Sequence, residues 1–158
     1  MERWPTSQIV IYGHSLGGSA AVCLASRLGS EEYSNVRGLI LENPFASIPK
    51  MVKALYPQRW LPYHYLTPFV WDTWDAVHAA SSASQNSLLR RLSEDVLVLL
   101  SEKDELVPNS MGMDILNAME PKGRSNVVIQ DALHENAWEK REWVREIVQY
   151  VDTVCHPS

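Results

Sequence analysis

Four short apolar runs alternate along the chain with segments that have helical periodicity. The runs are rich in β-branched side chains and cover residues 9–12, 36–41, 96–100 and 126–130. Continuous apolar runs are typical of strands covered on both faces, and helices between them are typical of right-handed βαβ units. The pattern therefore predicts the α/β class, with a parallel sheet of about four strands and flanking helices.

Apolar positions at helical spacing mark the segments after the third and fourth runs. The first set shares one helical face after a Pro-Asn-Ser start signal and comprises Met111, Ile115, Leu116 and Met119. The second set lies on a closing helix and comprises Trp143, Ile147, Val151 and Val154. Both spacings predict helices with one apolar face.

The connection between the second and third runs, residues 42–94, is far longer than an ordinary loop and must carry structure of its own. It is rich in aromatic side chains and prolines. We predict a helix over residues 47–56, followed by a proline-broken aromatic segment. A second helix is predicted through Leu88, Leu89 and Leu92.

The stretch between these helices is poorly specified. Residues 79–84 are only alanine and serine, so their structure is weakly specified and we expect a mobile segment. We therefore describe residues 47–92 as a lid-like or cap-like insert. The whole chain, residues 1–158, is predicted to form a single partial domain.

A serine between glycines follows the first run. The motif is Gly13-His14-Ser15-Leu16-Gly17-Gly18, and an alanine-rich helical pattern comes after it. A strand, a glycine-flanked serine and a helix describe a nucleophile elbow, the strained turn that holds a serine hydroxyl above a parallel sheet. A glycine-rich turn that holds a phosphate is the alternative, although the dinucleotide-site spacing and the P-loop lysine are absent.

Physical reasons explain which residues surround Ser15. A side chain at Gly13 or Gly17 would collide with neighbouring backbone in so sharp a bend, so glycine is expected at both positions. The free N–H groups at a helix N-terminus stabilise negative charge. We therefore assign the backbone N–H of Leu16 as an oxyanion donor.

A serine hydroxyl is a poor nucleophile at neutral pH, so a catalytic Ser15 needs a histidine base and a carboxylate that orients it. Asp104 comes just after the third run, and His134 lies between the fourth run and the closing helix. Serine, aspartate and histidine follow one another in the chain order used with nucleophile elbows. Glu102 or Glu105 could serve instead, but Asp104 is favoured because turn N–H groups can fix its short side chain.

The other histidines show no metal motif. His14 lies next to the serine and is predicted to line the substrate pocket. His64, His78 and His156 lack partners at the spacing of metal ligands. We therefore expect no metal and no cofactor.

The composition narrows the class of protein. Of 158 residues, 46% are hydrophobic and 21% are charged, as in a soluble globular domain. The net charge of -5, without a basic stripe, argues against a nucleic-acid binder. Cys23 and Cys155 make no disulfide framework. No apolar leader and no run of about 18 apolar residues is present, so we expect a soluble, intracellular chain.

Four stretches resemble the α/β-hydrolase superfamily, and more closely its Bem-like branch of eukaryotic serine hydrolases. They are residues 11–18, 41–49, 103–108 and 134–136. Two positions depart from the family, which usually has glycine at Ser101 and threonine at Pro44. The resemblance implies a hydrolase of ester or thioester bonds with an apolar acyl substrate. We place His14, Asn43 and Phe45 in the substrate pocket.

The resemblance covers strands five to eight of the family's eight-stranded sheet. We therefore expect an N-terminally truncated form with impaired activity, because the second oxyanion donor belongs to the other half, and losing one donor costs about 10²–10³ in rate. The edge formed by residues 9–12 is open to self-association. Membrane contact is expected only through an anchor of the other half or through the aromatic insert. The alternative is a noncatalytic fragment that acts as a protein-binding module.

Overall fold

The computed structural model of the chain describes residues 8–55, 74–123 and 126–156. Its strands are β1 (Ile9–His14), β2 (Val36–Glu42), β3 (Leu97–Ser101) and β4 (Asn126–Ile129). Its helices are α1 (Leu16–Ala25), α2 (Ile48–Leu55), α3 (Ala76–Ser81), α4 (Leu88–Ser93), α5 (Asn109–Met119) and α6 (Arg141–Cys155), with a 3₁₀ turn at Ala137–Glu139. The predicted α/β class is confirmed.

The four strands form one parallel sheet in the order β1-β2-β3-β4. Because every strand runs in the same direction, the loops that follow them all lie along the same edge of the sheet. Within the described part of the chain, β1 pairs only with β2, and its Ile9 and Tyr12 are 37% and 47% exposed. This is the strand edge where self-association was predicted, and that role stays a prediction.

Both faces of the sheet are buried, which explains why the strands are continuous apolar runs rather than alternating ones. Successive side chains of β2 and β3 point to opposite faces. One face packs on α1, α3, α4 and α5, and its core includes Val22, Leu39, Leu41, Val98, Leu100, Ile115 and Met119. The other face packs on α6, and its core includes Ile40, Leu97, Leu99, Val127 and Ile129.

The two helices with apolar spacing are confirmed, with one difference. The four predicted positions of α5 are all buried. On α6, Trp143 and Ile147 pack against the core and Val154 is buried, but Val151 is 36% exposed. The stripe on α6 is therefore narrower than the spacing predicted.

The long connection contains the two predicted helices, α2 and α4, and a further helix that the sequence did not predict. Residues 79–84 were expected to be weakly specified, and this is wrong, because α3 covers their first part. The Asp75 carboxylate caps α3 by accepting the His78 N–H at 2.9 Å. Ala76 and Ala80 are buried against the first core, so the small side chains serve close packing. The aromatic segment at 56–73 lies outside the described residues.

Tyr150 fixes α6 to the sheet. Its hydroxyl accepts the Leu39 N–H at 2.8 Å and is 3.2 Å from the Leu39 carbonyl, to which it donates. A Cβ added to Gly38 would lie 2.7 Å from the Tyr150 hydroxyl, so glycine there permits the close approach. Burial raises the pKa of Tyr150 to about 12, from an ordinary value of 10.0.

Replacing Tyr150 by phenylalanine should lower the free energy of unfolding by about 1–3 kcal/mol, because polar groups of Leu39 lose their partner. The folded-state pKa is the higher one, so the stability contributed by the neutral hydroxyl is fully present below pH 10.0 and is lost as the pH rises through about 12. Urea denaturation should therefore show the two proteins converging in that window. Tyr33→Phe, whose hydroxyl bonds to no described residue, is the matched control, and an equal loss there would contradict the assignment.

Candidate active site

Ser15 lies in a strained turn between β1 and α1. Its backbone angles are φ 51 and ψ -119, and a positive φ is costly for a residue with a side chain. The turn is held on both sides, because the Ser15 N–H donates to the Glu42 carbonyl at 2.8 Å and the Ser15 carbonyl accepts the Gly18 N–H at 3.1 Å. The hydroxyl does not cap the helix, so it stays available for chemistry.

The glycines of the turn do not share one reason. A Cβ added at Gly13 would lie 2.6 Å from the Gly17 carbonyl oxygen, so the predicted collision at Gly13 is confirmed. At Gly17 an added Cβ meets no described atom within 4 Å, so the collision predicted there is wrong. The bend turns the carbonyl of Gly17 towards Gly13 and leaves its Cα facing outward. Gly18 is close-packed, since its Cβ would lie 3.0 Å from both Gly13 and Pro44.

Leu16 is the first residue of α1, directly after Ser15. The first N–H groups of a helix have no partner within the helix, and the Leu16 N–H donates to no described acceptor. It lies at the helix N-terminus, where the partial positive charge of the helix favours anions, and its oxyanion role stays a prediction.

Asp104 and His134 meet beyond the ends of β3 and β4. The Nδ1 of His134 lies 2.8 Å from Oδ2 of Asp104, and both side chains are buried, at 2% and 1% exposure. The other Asp104 oxygen accepts the N–H groups of Leu106 and Val107 at 2.9 and 2.7 Å, as predicted for a carboxylate fixed by its own turn. The carboxylate bonded to the imidazole is therefore itself held by two backbone N–H groups.

The two alternative carboxylates bind elsewhere. Glu105 accepts the backbone N–H of His134 at 3.1 Å, and this hydrogen bond holds the pKa of Glu105 below its ordinary value. Glu102 accepts the Asp131 N–H at 2.9 Å. Among the described residues, Asp104 is thus the carboxylate bonded to the imidazole ring.

Ser15 and His134 lie at the same edge of the sheet without a direct hydrogen bond between their side chains. The Ser15 hydroxyl bonds to no described residue. The ring of His14, the neighbour of Ser15, has its centroid 4.8 Å from that of His134. Catalytic hydrogen bonds of this kind are often long in the absence of substrate.

Sequence relatives are found among eukaryotic proteins, although no family model matches the chain. Protein bem46 of Schizosaccharomyces pombe is 31% identical over 102 residues, which are 65% of this chain and 29% of that protein. Lysophosphatidylserine lipase ABHD12 of Bos taurus is 32% identical over 114 residues, which are 72% of this chain and 28% of that protein. The chain thus spans less than a third of the length of these relatives, and the predicted resemblance to Bem-like proteins is confirmed.

Solved structures share the fold. An alpha-beta hydrolase from Vibrio vulnificus matches with a TM-score of 0.63 and 20% identity, over 94% of this chain and 50% of that chain. The esterase domain of a Rhodothermus marinus protein matches with a TM-score of 0.58 and 16% identity, over 90% of this chain and 58% of that chain. The chain has a partial α/β-hydrolase fold. No helix in the described part of it is long and apolar enough to cross a membrane.

In this α/β-hydrolase fold, Asn43 joins the ends of three strands. It follows β2 directly, has φ 44 and is 1% exposed. Its amide donates to the Ser101 hydroxyl at 2.9 Å and to the His134 carbonyl at 3.0 Å, and its oxygen accepts the Ser101 N–H at 2.8 Å. The His14 ring nitrogen Nε2 also bonds to the His134 carbonyl, at 3.0 Å. Two donors therefore fix the backbone of His134.

The pocket residues predicted from the sequence have different surroundings. Asn43 is inside the α/β-hydrolase scaffold, as described above, and His14 is half-buried between Ser15 and the His134 loop. Phe45 is 6% exposed and packs with Ala46, Val107 and Met111 in a small core of its own. A substrate role for any of the three stays a prediction.

Glu42 is a buried carboxylate that sequence reasoning missed. It is 2% exposed, and one oxygen accepts both the Tyr12 hydroxyl at 2.5 Å and the Trp143 indole N–H at 2.6 Å. Burial, and then the hydrogen bond with Glu42, raises the pKa of Tyr12 well above its ordinary value. The same residue holds Ser15 through its carbonyl, so Glu42 connects the elbow to α6. The only signal in the sequence is a charged residue at the end of an apolar run.

Replacing Asn43 by alanine should lower the free energy of unfolding by about 2 kcal/mol, because the Ser101 N–H loses its buried acceptor and the His134 carbonyl loses one of its two donors. Urea denaturation followed by circular dichroism measures the change. The same substitution at Asn117, an exposed position of α5, is the matched control and should be close to neutral. Equal effects at the two positions would count against a structural role of the Asn43 amide.

Proposed function

We propose that the chain carries the catalytic residues of an α/β-fold serine hydrolase that cleaves carboxylic ester or thioester bonds. The observation that carries the proposal is the buried Asp104–His134 pair at the same sheet edge as the strained Ser15. Strain at a half-buried serine, at the sheet edge that also carries an oriented imidazole, is typical of an activated nucleophile. The named relatives, a lipase among them, support the same class.

The reaction divides into acylation and deacylation. The Ser15 oxygen attacks the acyl carbon while its proton passes to Nε2 of His134, and the carbonyl electron pair moves onto the oxygen. Asp104 stabilises the imidazolium that forms. The tetrahedral centre then breaks its bond to the leaving group, which takes the proton from His134. Water repeats the sequence on the acyl-enzyme and restores Ser15.

The Leu16 N–H is the donor that the chain offers to the developing oxyanion. Removing one such donor typically costs about 10²–10³ in rate, so its position directly after the nucleophile matters. The negative charge forms beside the positive end of α1, which stabilises it further.

Exposed apolar side chains near the three residues support an apolar acyl substrate. They lie beside Ser15, beyond Asp104 and on both sides of His134: Leu16, Leu106, Leu133 and Trp138, at 50%, 39%, 44% and 59% exposure. Such side chains gain free energy by covering a hydrocarbon chain.

Covalent labelling tests the proposal. A fluorophosphonate should modify the folded chain, and mass spectrometry should locate the adduct on Ser15. Heat-denatured chain is the control. An adduct on another serine, or no adduct on a chain whose circular dichroism shows the folded state, would count against the hydrolase.

The edge of β1, which pairs only with β2 among the described residues, favours a second candidate, a protein-binding module. Ile9 and Tyr12 are partly exposed there, and an unpaired strand edge accepts a further strand. A folded chain that takes no label but sediments as a complex or dimer would support this candidate.

A further inference from the structure

Three metal-ligating side chains meet beside the elbow. They belong to His14, His134 and Glu135, and their ligand atoms all lie within 4.8 Å of one another. Nε2 of His134 and a carboxylate oxygen of Glu135 lie 4.0 Å apart. The sequence predicted no metal, because His14 was assigned to the pocket and the remaining histidines lack partners at metal-ligand spacing. His14 and His134 are 120 positions apart, so their spacing gives no metal motif.

We propose that His14, His134 and Glu135 form a binding site for Zn²⁺. Two imidazoles and one carboxylate are donors that Zn²⁺ prefers, and three protein ligands leave one position for water. Mg²⁺ and Ca²⁺ prefer oxygen ligands and larger shells, so the nitrogen donors select against them.

The hydrogen bonds around both rings prepare them as ligands. Nδ1 of His134 donates to Asp104, which leaves the lone pair on Nε2, the atom next to Glu135. Nε2 of His14 donates to the His134 carbonyl, which leaves its lone pair on Nδ1. A carboxylate behind a histidine raises the basicity of the free nitrogen, as it does in histidine-bound zinc sites.

The distances require only a small adjustment. Zinc–nitrogen bonds of about 2.0–2.1 Å place tetrahedral ligands about 3.4 Å apart. Glu135 is 74% exposed and can swing towards the rings. The exposed carboxylate also gives the ion a path from solvent.

A bound zinc ion should affect hydrolysis, and this effect rests on the proposed function. Zinc on Nε2 of His134 takes up the lone pair that would accept the proton of Ser15. The zinc site is therefore inhibitory: bound zinc should slow the acylation of Ser15 and take no part in the reaction.

Calorimetry with Zn²⁺ alone tests the binding. The chain should bind one zinc ion and give no heat with Mg²⁺. Asp104→Asn should weaken zinc by about 10–100-fold, because it removes the carboxylate behind His134. Glu135→Gln should weaken zinc at least tenfold, in the range typical of altered zinc sites, whereas Glu139→Gln, at a nearby exposed carboxylate, should not.

Within the described part of the chain, a second pair could compete for zinc: His156 and Asp152, whose side-chain atoms lie 3.3 Å apart at the end of α6. If Asp152→Asn abolishes zinc binding while Glu135→Gln leaves it unchanged, the proposal is overturned. Circular dichroism of each variant keeps a folding defect apart from a lost ligand.

Labelling separates this inference from the hydrolase. Zinc should slow fluorophosphonate labelling of the native chain, and a chelator should restore it. Zinc should slow the labelling of Glu135→Gln by a smaller factor than it slows the labelling of the native chain. Zinc binding without labelling would overturn only the hydrolase, and labelling that zinc never slows would overturn the inhibitory site.

Discussion

Replacing Ser15 by alanine should abolish covalent labelling by a fluorophosphonate and lower ester turnover by about 10⁶-fold, the loss typical of a deleted nucleophile. No described residue depends on the Ser15 hydroxyl for a hydrogen bond, so the free energy of unfolding should change little. Labelling is measured by gel fluorescence, and turnover by release of p-nitrophenol from a short ester.

The control for this variant is Ser110→Ala, an exposed serine in the first turn of α5 at the same edge of the sheet. It should label like the native chain. Persistent labelling after Ser15→Ala would show that the nucleophile is misassigned.

Replacing Asp104 by asparagine should slow labelling by about 10⁴-fold with the fold intact. The amide oxygen can still accept the Leu106 and Val107 N–H groups. The amide nitrogen, however, is a donor, and it forces His134 into the tautomer that cannot take the proton of Ser15. Stopped-flow labelling with an excess of probe gives the second-order rate constant.

Two matched variants test the choice of carboxylate. Glu105→Gln should label within about tenfold of the native rate, because its amide oxygen still accepts the His134 N–H, although more weakly than a carboxylate does. Glu102→Gln should do the same. A loss as large as that of Asp104→Asn in either variant would move the orienting role away from Asp104.

The strands and the long helices could be predicted because their signals are local. The apolar residues of α5 recur every three or four positions and therefore share one face of the helix. All of that face packs into the core. Ser15, Asp104 and His134 were also predictable as candidates, since each follows a strand and parallel strands end at one edge. The turn at Asp104 was predictable because a short carboxylate side chain accepts hydrogen bonds from the backbone N–H groups just after it in the chain.

Other contacts could not be predicted because they join distant positions through groups that carry no pattern. Asn43 meets residues 58 and 91 positions away, and nothing in its neighbours announces either partner. In the sequence Glu42 is an ordinary residue at the end of a strand, and only the fold shows that Trp143 of α6 binds it. The alanines of α3 have a high helix propensity, but so short a helix is not stable by itself. Tertiary packing therefore decides whether α3 forms. Gly17 shows that a motif position need not have the steric reason of its neighbour.

The fixing of the His134 loop sets the order in which the site assembles. Its contacts to His14, Asn43, Asp104 and Glu105 come from residues 120, 91, 30 and 29 positions earlier in the chain. Contacts this distant form late, because the loops they close cost more entropy than local ones. During synthesis we therefore expect the Ser15 turn and the strands β1 to β3 to form before the His134 loop is fixed. Ser15 should then lie beside an incomplete candidate site until β4 and α6 have docked.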